Sequence, residues 1–303
     1  TSSCLDVCKR IFKYYKSEEL FKKINWCDGD IIDIVSLENG MRGCNLLLHC
    51  AGIVSFSPND VESLKKVNIE GTANVMNVAL SSGIKKVGYI SSIATLGRNL
   101  DNALIDEKSY FIPSKKESNY ALSKYFAEQE VWRASQEGME VVILNPSVIL
   151  GPGDWKKGSS QIFETIYKGL NFYTTGSSGY VDVCDVADLI IMLLFSDIKN
   201  ERFIANSANL KYRDCFEMIA LALGKKPATI KVTPILKEIA WRLEAIKFFI
   251  TGARPLLTRE TANSAMSNRK FSTEKIKSTL DFQFKDINDT IKKYANWFVA
   301  DQG

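Results

Sequence analysis

Histidine is nearly missing from this chain of 303 residues. His49 is the only one, so a histidine-based triad has a single candidate base and a zinc site has few ligands. His49 lies in the apolar run "LLLHC", where the plain reading is a hydrogen-bonded core residue. The seven cysteines are odd in number, scattered and without CxxC spacing, which points to reduced thiols in a cytoplasmic protein and to no metal centre. Long hydrophobic runs are also missing. "LIIMLLF" (189–195) is among the longest and falls far short of the roughly 20 residues a transmembrane helix needs. The start, "TSSCLDVCKRIFKYY", has no signal-peptide layout. Charge is nearly balanced, 39 basic against 35 acidic residues, with no long basic run, so a nucleic-acid partner is not expected. No G-x-S-x-G elbow is present, which argues against a serine hydrolase. Glycine, finally, does not occur before Gly29.

What is present is alternation. "NLLLHC" (45–50), "KVGYIS" (86–91) and "EVVILNP" (140–146) are short runs rich in Val, Ile and Leu, the pattern of parallel strands buried on both faces. Between them, 59–83 and 118–138 carry helical periodicity and end at Gly83 and Gly138, a common helix stop. Strand–helix–strand alternation predicts an α/β fold with a doubly wound parallel sheet of Rossmann type. Beyond Gly151 the texture turns helical, in "QIFETIYKGL", "YRDCFEMIALALG", "ILKEIAWRLEAIKFFI" and "INDTIKKYANWF". "YVDVCDVADLIIMLLF" (180–195) and "RFIANSA" (202–208) read as a return to the sheet. The expected division is a sheet domain of 1–153 plus about 178–209, and a smaller, mostly helical domain of about 154–177 plus 210–303.

The stretch "SNYALSK" (118–124) spaces Tyr120 and Lys124 four residues apart, so on a helix they share a face. A free tyrosine titrates near 10, and bringing it toward roughly 7 takes about 4 kcal/mol of anion stabilisation. An adjacent ammonium and the positive charge of an oxidised nicotinamide can supply that, making the tyrosine a proton donor or acceptor for a carbonyl or alcohol. A lone YxxxK is a weak signal, but its surroundings agree with it. Ser91 and Ser92 end one strand, "LHCAG" (48–52) ends another in small residues, and "LNPSVILGPG" ends a third. Ligands of such sheets bind at that carboxyl edge. Asn68 sits mid-helix just before Gly71, an odd place unless it has a specific partner.

With these motifs in order, the sequence resembles the extended short-chain dehydrogenases/reductases. Within them it is most similar to the branch with dihydroflavonol reductases, 3β-hydroxysteroid dehydrogenases and NAD-dependent epimerase/dehydratases, from "WCDGDIIDIVSL" through "YVDVCDVAD" to "FSTEKIKSTLDFQF". The resemblance implies an NAD(P)-dependent oxidoreductase with Tyr120 as general acid/base and Lys124 orienting the nicotinamide ribose. Ser92, set before Gly97 at the family's offset, would hydrogen-bond the substrate oxygen, and Asn68 would belong to the proton relay and cofactor neighbourhood. Asp30 and Ile31 match the pair beside the adenine. Cys50, Ala51 and Gly52 match the strand end under the ribose and phosphates, with Ser91 on the neighbouring strand end. Pro146, Ser147, Val148 and Ile149 match the segment against the carboxamide. The substrate would be a small carbonyl or alcohol held by the helical domain, whose apolar stretch 236–257 suits a hydrophobic one. The resemblance also implies a homodimer through the helices 59–83 and 118–138.

The family's G-x-x-G-x-x-G loop, whose amides hold the pyrophosphate, follows the first strand. Here the first glycine, Gly29, already falls at the family's third strand, and "GPGDWKKG" (151–158) has the wrong spacing and place. The loop is therefore expected upstream of Thr1. The residue that chooses between NAD and NADP would lie there too. Ser2 and Ser3, able to touch a 2′-phosphate, lean the reading toward NADP. The alternatives are a sugar-nucleotide epimerase or dehydratase using the same triad, and a non-catalytic dinucleotide sensor, a kind of relative that lacks the Tyr/Lys pair.

Overall fold

The computed structural model describes residues 2–97, 104–114, 117–251 and 258–302. Its centre is a four-stranded, wholly parallel sheet of β1 (Leu46–His49), β2 (Lys86–Ile90), β3 (Glu140–Pro146) and β7 (Glu201–Ala205), in the order β1-β2-β3-β7. Alternate residues of β3 show why the strands read as continuous apolar runs. Val141 and Ile143 pack with helices Gly71–Ser81 and Asn119–Gln136 on one face. Val142 and Leu144 pack with helix Val183–Phe195 on the other. All four are fully buried, each contributing roughly 1.5–3 kcal/mol of transfer free energy.

A second core lies beyond the strand ends. At Ser147 the chain leaves the parallel ladder, its N–H donating a last bond to the Ala205 carbonyl (2.9 Å). The next residues form β4 (Val148–Leu150), which pairs with β6 (Ser177–Asp182), and β6 pairs antiparallel with β8 (Ala208–Lys211). A two-stranded ladder joins β5 (Phe172–Tyr173) to β9 (Ile230–Lys231). Helices Gln161–Tyr167, Tyr212–Ala222 and Ile287–Gln302 close the core around Trp155, Phe163, Tyr180 and Phe298.

Four features differ from the sequence expectations. Residues 177–182 and 208–211 join β4 in the second sheet and not the parallel one, because partner choice follows the point where β3 turns away. Helix Ser2–Tyr14 lies against the second core, where the Tyr14 ring stacks on Trp297 (4.5 Å) and Tyr15 Oη meets Cys184 Sγ at 2.8 Å. Residues 25–30 form no strand. A third Rossmann strand stands three places from the fourth in the strand order, and among the described residues no strand flanks β1 on its open edge, so 25–30 has no ladder to join. The helix 59–83 is also not uniform: it passes from a short turn (Pro58–Asp60) through Val61–Leu64 into a π-helical segment, Lys65–Glu70, before resuming at Gly71.

Candidate active site

Tyr120 lies in the first turn of helix Asn119–Gln136, which Ser118 caps by accepting from the Ala121 N–H (3.1 Å). At the helix start Asn119 Nδ2 donates to Glu260 Oε1 (3.1 Å), on the short helix Arg259–Ser264. One turn on, the Lys124 ammonium, 6% exposed, donates to the Tyr89 hydroxyl (2.8 Å) and the Ile90 carbonyl (2.9 Å), both on β2. Its nitrogen also sits 4.4 Å from the centre of the Tyr89 ring. Two of its three hydrogens are thus committed to the sheet and one remains. Burial pulls its pKa down to about 8, against the attraction of Glu128 and of Cys50.

Ser92 follows β2 and caps a short turn, Ile93–Thr95, its Oγ accepting from the Ala94 N–H (3.1 Å). Its hydroxyl is close enough to the half-buried Tyr120 phenol to favour the ionised form. Burial raises the phenol's pKa above the ordinary value and Ser92 opposes the rise, so Tyr120 is protonated at neutral pH. The turn is held tightly at its end. A Cβ at Gly97 would fall 1.7 Å from the Tyr110 carbonyl oxygen, which is why no other residue serves there.

Asn68 sits in the π-helical segment and is 1% exposed. Its Oδ1 accepts from the Ile53 N–H (2.8 Å), and its Nδ2 donates to the Ile53 carbonyl (3.0 Å) and to Ser123 Oγ (2.9 Å). Asn68 therefore ties the loop after β1 to the Tyr120 helix. π-turns of this kind are enriched at functional sites, because the extra residue re-aims side chains. Gly71, three residues on, admits Ile31: a Cβ there would lie 2.5 Å from Ile31 Cδ1. Asn74 Nδ2 then holds the Ile31 carbonyl (3.2 Å).

The other expected residues divide in two. Cys50, Ala51 and Gly52 are exposed at the strand end, and partial desolvation by the neighbouring chain pushes the Cys50 pKa up against the pull of Lys124. Asp30 is exposed and folds back on its own turn, Oδ1 accepting from the Ile32 N–H (3.0 Å). Pro146 and Ser147 are buried where the two sheets part, with Val148 and Ile149 half-buried, and the Ser147 hydroxyl has no partner. Ser91 points away from this edge: its hydroxyl donates to Glu128 Oε2 (2.5 Å) inside the protein. Ser2 and Ser3 open the first helix, but their side chains lie outside what the structure describes, as do residues 252–257 of the apolar stretch.

His49 is a core residue, 4% exposed, with Nε2 3.0 Å from Thr72 Oγ1. Burial, helped by the Lys124 charge, drives its pKa down to about 3, so it stays neutral and is no proton carrier near neutrality. Sequence reasoning missed Tyr89, Phe56 and Glu128. Phe56 meets the Tyr120 ring edge to face at 5.5 Å. Phe111 stacks on Tyr125 at 4.7 Å. Among the described residues no cluster of His, Cys, Asp and Glu could hold a metal, and no helix is long and apolar enough to cross a membrane. A cavity of about 450 Å3 lined by Ser207, Phe282, Phe284 and Lys285, among others, shares no residue with this group.

A parallel sheet wound on both faces, with a serine, a tyrosine and a lysine gathered at its carboxyl edge, is the arrangement of an extended short-chain dehydrogenase/reductase. The model of the 3-beta hydroxysteroid dehydrogenase/isomerase family matches residues 5–205, and the chain belongs to that family. It is 28% identical over 284 residues to a putative dihydroflavonol 4-reductase of Synechocystis, covering 91% of this chain and 82% of that one. The crystal structure of gox2253 superposes with a TM-score of 0.75 at 29% identity, covering 90% of this chain and 83% of that one. A dTDP-glucose 4,6-dehydratase of Streptomyces venezuelae, solved with NAD bound, shares the fold with a TM-score of 0.71 at 18% identity, over 91% and 79% of the two chains.

Proposed function

We propose that the chain is an NAD(P)-dependent reductase that interconverts a carbonyl and an alcohol, with Ser92, Tyr120 and Lys124 as its proton-handling group. The observation that carries the reading is the buried Lys124 ammonium, pinned to the sheet by Tyr89 and Ile90 one helical turn below Tyr120, with Ser92 at the neighbouring strand end. Ser92 donates to the substrate oxygen and Tyr120 delivers the proton to it. Lys124, pinned by Tyr89 and Ile90, keeps one hydrogen for the cofactor ribose and stabilises the phenolate left behind. A bound nicotinamide dinucleotide supplies the hydride. The residues present suit its nicotinamide half: the spare Lys124 hydrogen, the unpartnered Ser147 hydroxyl and the exposed strand end 50–52. For the pyrophosphate they offer no glycine-rich turn among the described residues, which is the same gap the sequence has.

Phe56 beside Tyr120, and Phe111 and Tyr125 on the same helix's flank, favour a hydrophobic carbonyl over a sugar nucleotide. We assign substrate recognition to the second core, and a homodimer to the paired helices 59–83 and 118–138. The test is a titration of the chain with NADPH and with NADH, followed by nicotinamide fluorescence, with and without an upstream strand–loop–helix segment. Binding that requires the segment supports the reading and ranks the two cofactors. Failure of both forms to bind either cofactor overturns it.

A further inference from the structure

Glu128 lies on the face of helix Asn119–Gln136 that carries Tyr120 and Lys124, one turn beyond the lysine, and is 1% exposed. Burying a carboxylate costs several kcal/mol unless donors surround it, and here they do. Its Oε2 accepts from Ser91 Oγ (2.5 Å) and Asn145 Nδ2 (2.9 Å). Thr95 Oγ1 lies 2.9 Å from that oxygen and 2.9 Å from the Ser92 carbonyl, donating to one of them at a time. Oε1 faces the Arg202 guanidinium (3.2 Å) and Trp132 Nε1 (3.4 Å).

The donors to Oε2 come from both sides of Ser92: Ser91 before it and Thr95 after it. Asn145 Nδ2 is also 3.2 Å from the Ser92 carbonyl and 2.9 Å from Thr95 Oγ1. We propose that Glu128 is a positioning residue, which clasps the Ser92 turn to the helix bearing Tyr120 so that serine and phenol meet one substrate oxygen, and which sets its charge against the Lys124 ammonium. The inference rests on the proposed roles of those three residues. Its reach is specific. Glu128 touches no substrate, yet it connects the two chain segments that must converge on one atom.

The groups facing Lys124 are the Tyr89 hydroxyl and Ile90 carbonyl from β2, His49 and Cys50 from the end of β1, and Glu128 from its own helix. Glu128 is the carboxylate in that set. Two variants of the full chain separate its roles. In Glu128→Gln the amide oxygen can take the Ser91, Thr95 and Asn145 donors, so the clasp is kept while the charge and the acceptor facing Arg202 and Trp132 are lost. In Thr95→Val the charge stays and one arm of the clasp is lost. Lys124 is followed by 13C NMR titration of its ε-carbon, identified with Lys124→Arg, and the turn by amide hydrogen exchange at 93–97.

We expect Glu128→Gln to lower the Lys124 midpoint by about one pH unit, and Thr95→Val to raise exchange across the turn about tenfold while leaving that midpoint in place. An unmoved midpoint in the first variant, or unchanged exchange in the second, overturns the proposal. Neither readout needs turnover. Failure to bind either cofactor, the result that defeats the proposed function, is therefore a separate outcome.

Discussion

The two ends of the carboxyl edge are built to different standards. Around Tyr120 the protein supplies its own support: Lys124 has two sheet acceptors, Asn68 makes three hydrogen bonds, and Ser92 is held from both sides. Around Asp30, Ile31 and Cys50–Gly52 the backbone is largely exposed, β1 is an open edge with Leu48 40% exposed, and no described residue offers a phosphate cradle. The proposed proton chemistry needs groups fixed to fractions of an ångström, and Lys124 is braced against a strand buried along its length. Cofactor binding in this fold needs a loop from another part of the sheet.

The strongest attack on this contrast is Tyr120→Phe. It should cut turnover by roughly a hundred to ten-thousandfold while leaving cofactor affinity and the melting temperature nearly unchanged. Persistent turnover would remove Tyr120 from the chemistry. The pH dependence comes next. Lys124 carries its charge below about pH 8, so activity should be level on the acid side of that value and fall about tenfold per unit above it. A pH–rate profile that keeps rising through pH 9 would contradict a required ammonium.

Asn68→Ala strands the Ile53 N–H and carbonyl and should cost about 1–3 kcal/mol in urea unfolding, since buried groups lose their partners. Gly71→Ala strikes the other end alone. Its methyl collides with Ile31 and should cost about 1–2 kcal/mol, with amide shifts confined to the neighbourhood of 30–34 and 65–75. Shifts reaching Tyr120 would mean that the two ends are not independent. The smallest effect belongs to Tyr89→Phe. The ring face beside the ammonium remains and one acceptor goes, so the alkaline limb should move down by about half a unit.

Much of the architecture was legible because its cause is local. Strands covered on both faces must be apolar at every position, so 45–50, 86–91 and 140–146 declared themselves, and Tyr120 and Lys124 fall on one helix four residues apart. What stayed hidden depends on distant partners. The pairing of β6 with β4 follows from the departure of the chain at Ser147, and residues 25–30 could form a strand only with neighbours. Glu128 reads as a surface glutamate on an ordinary helix until Ser91, Asn145 and Arg202 arrive from three strand ends. Asn68 stood out as a polar residue in the wrong place, but nothing in "KKVNIE" announces a π-turn.

That π-turn makes the helix 61–81 sensitive to insertions and deletions out of proportion to its exposure. Each residue added to or taken from a helix rotates everything beyond it by about 100°. Deleting one residue between 65 and 70 would repair the regular ladder and swing Asn68 or Gly71 away from its partner. A variant of that kind would gain helical order and lose its grip on both the 52–53 loop and Ile31. In this stretch, sequence length is under tighter constraint than sequence identity.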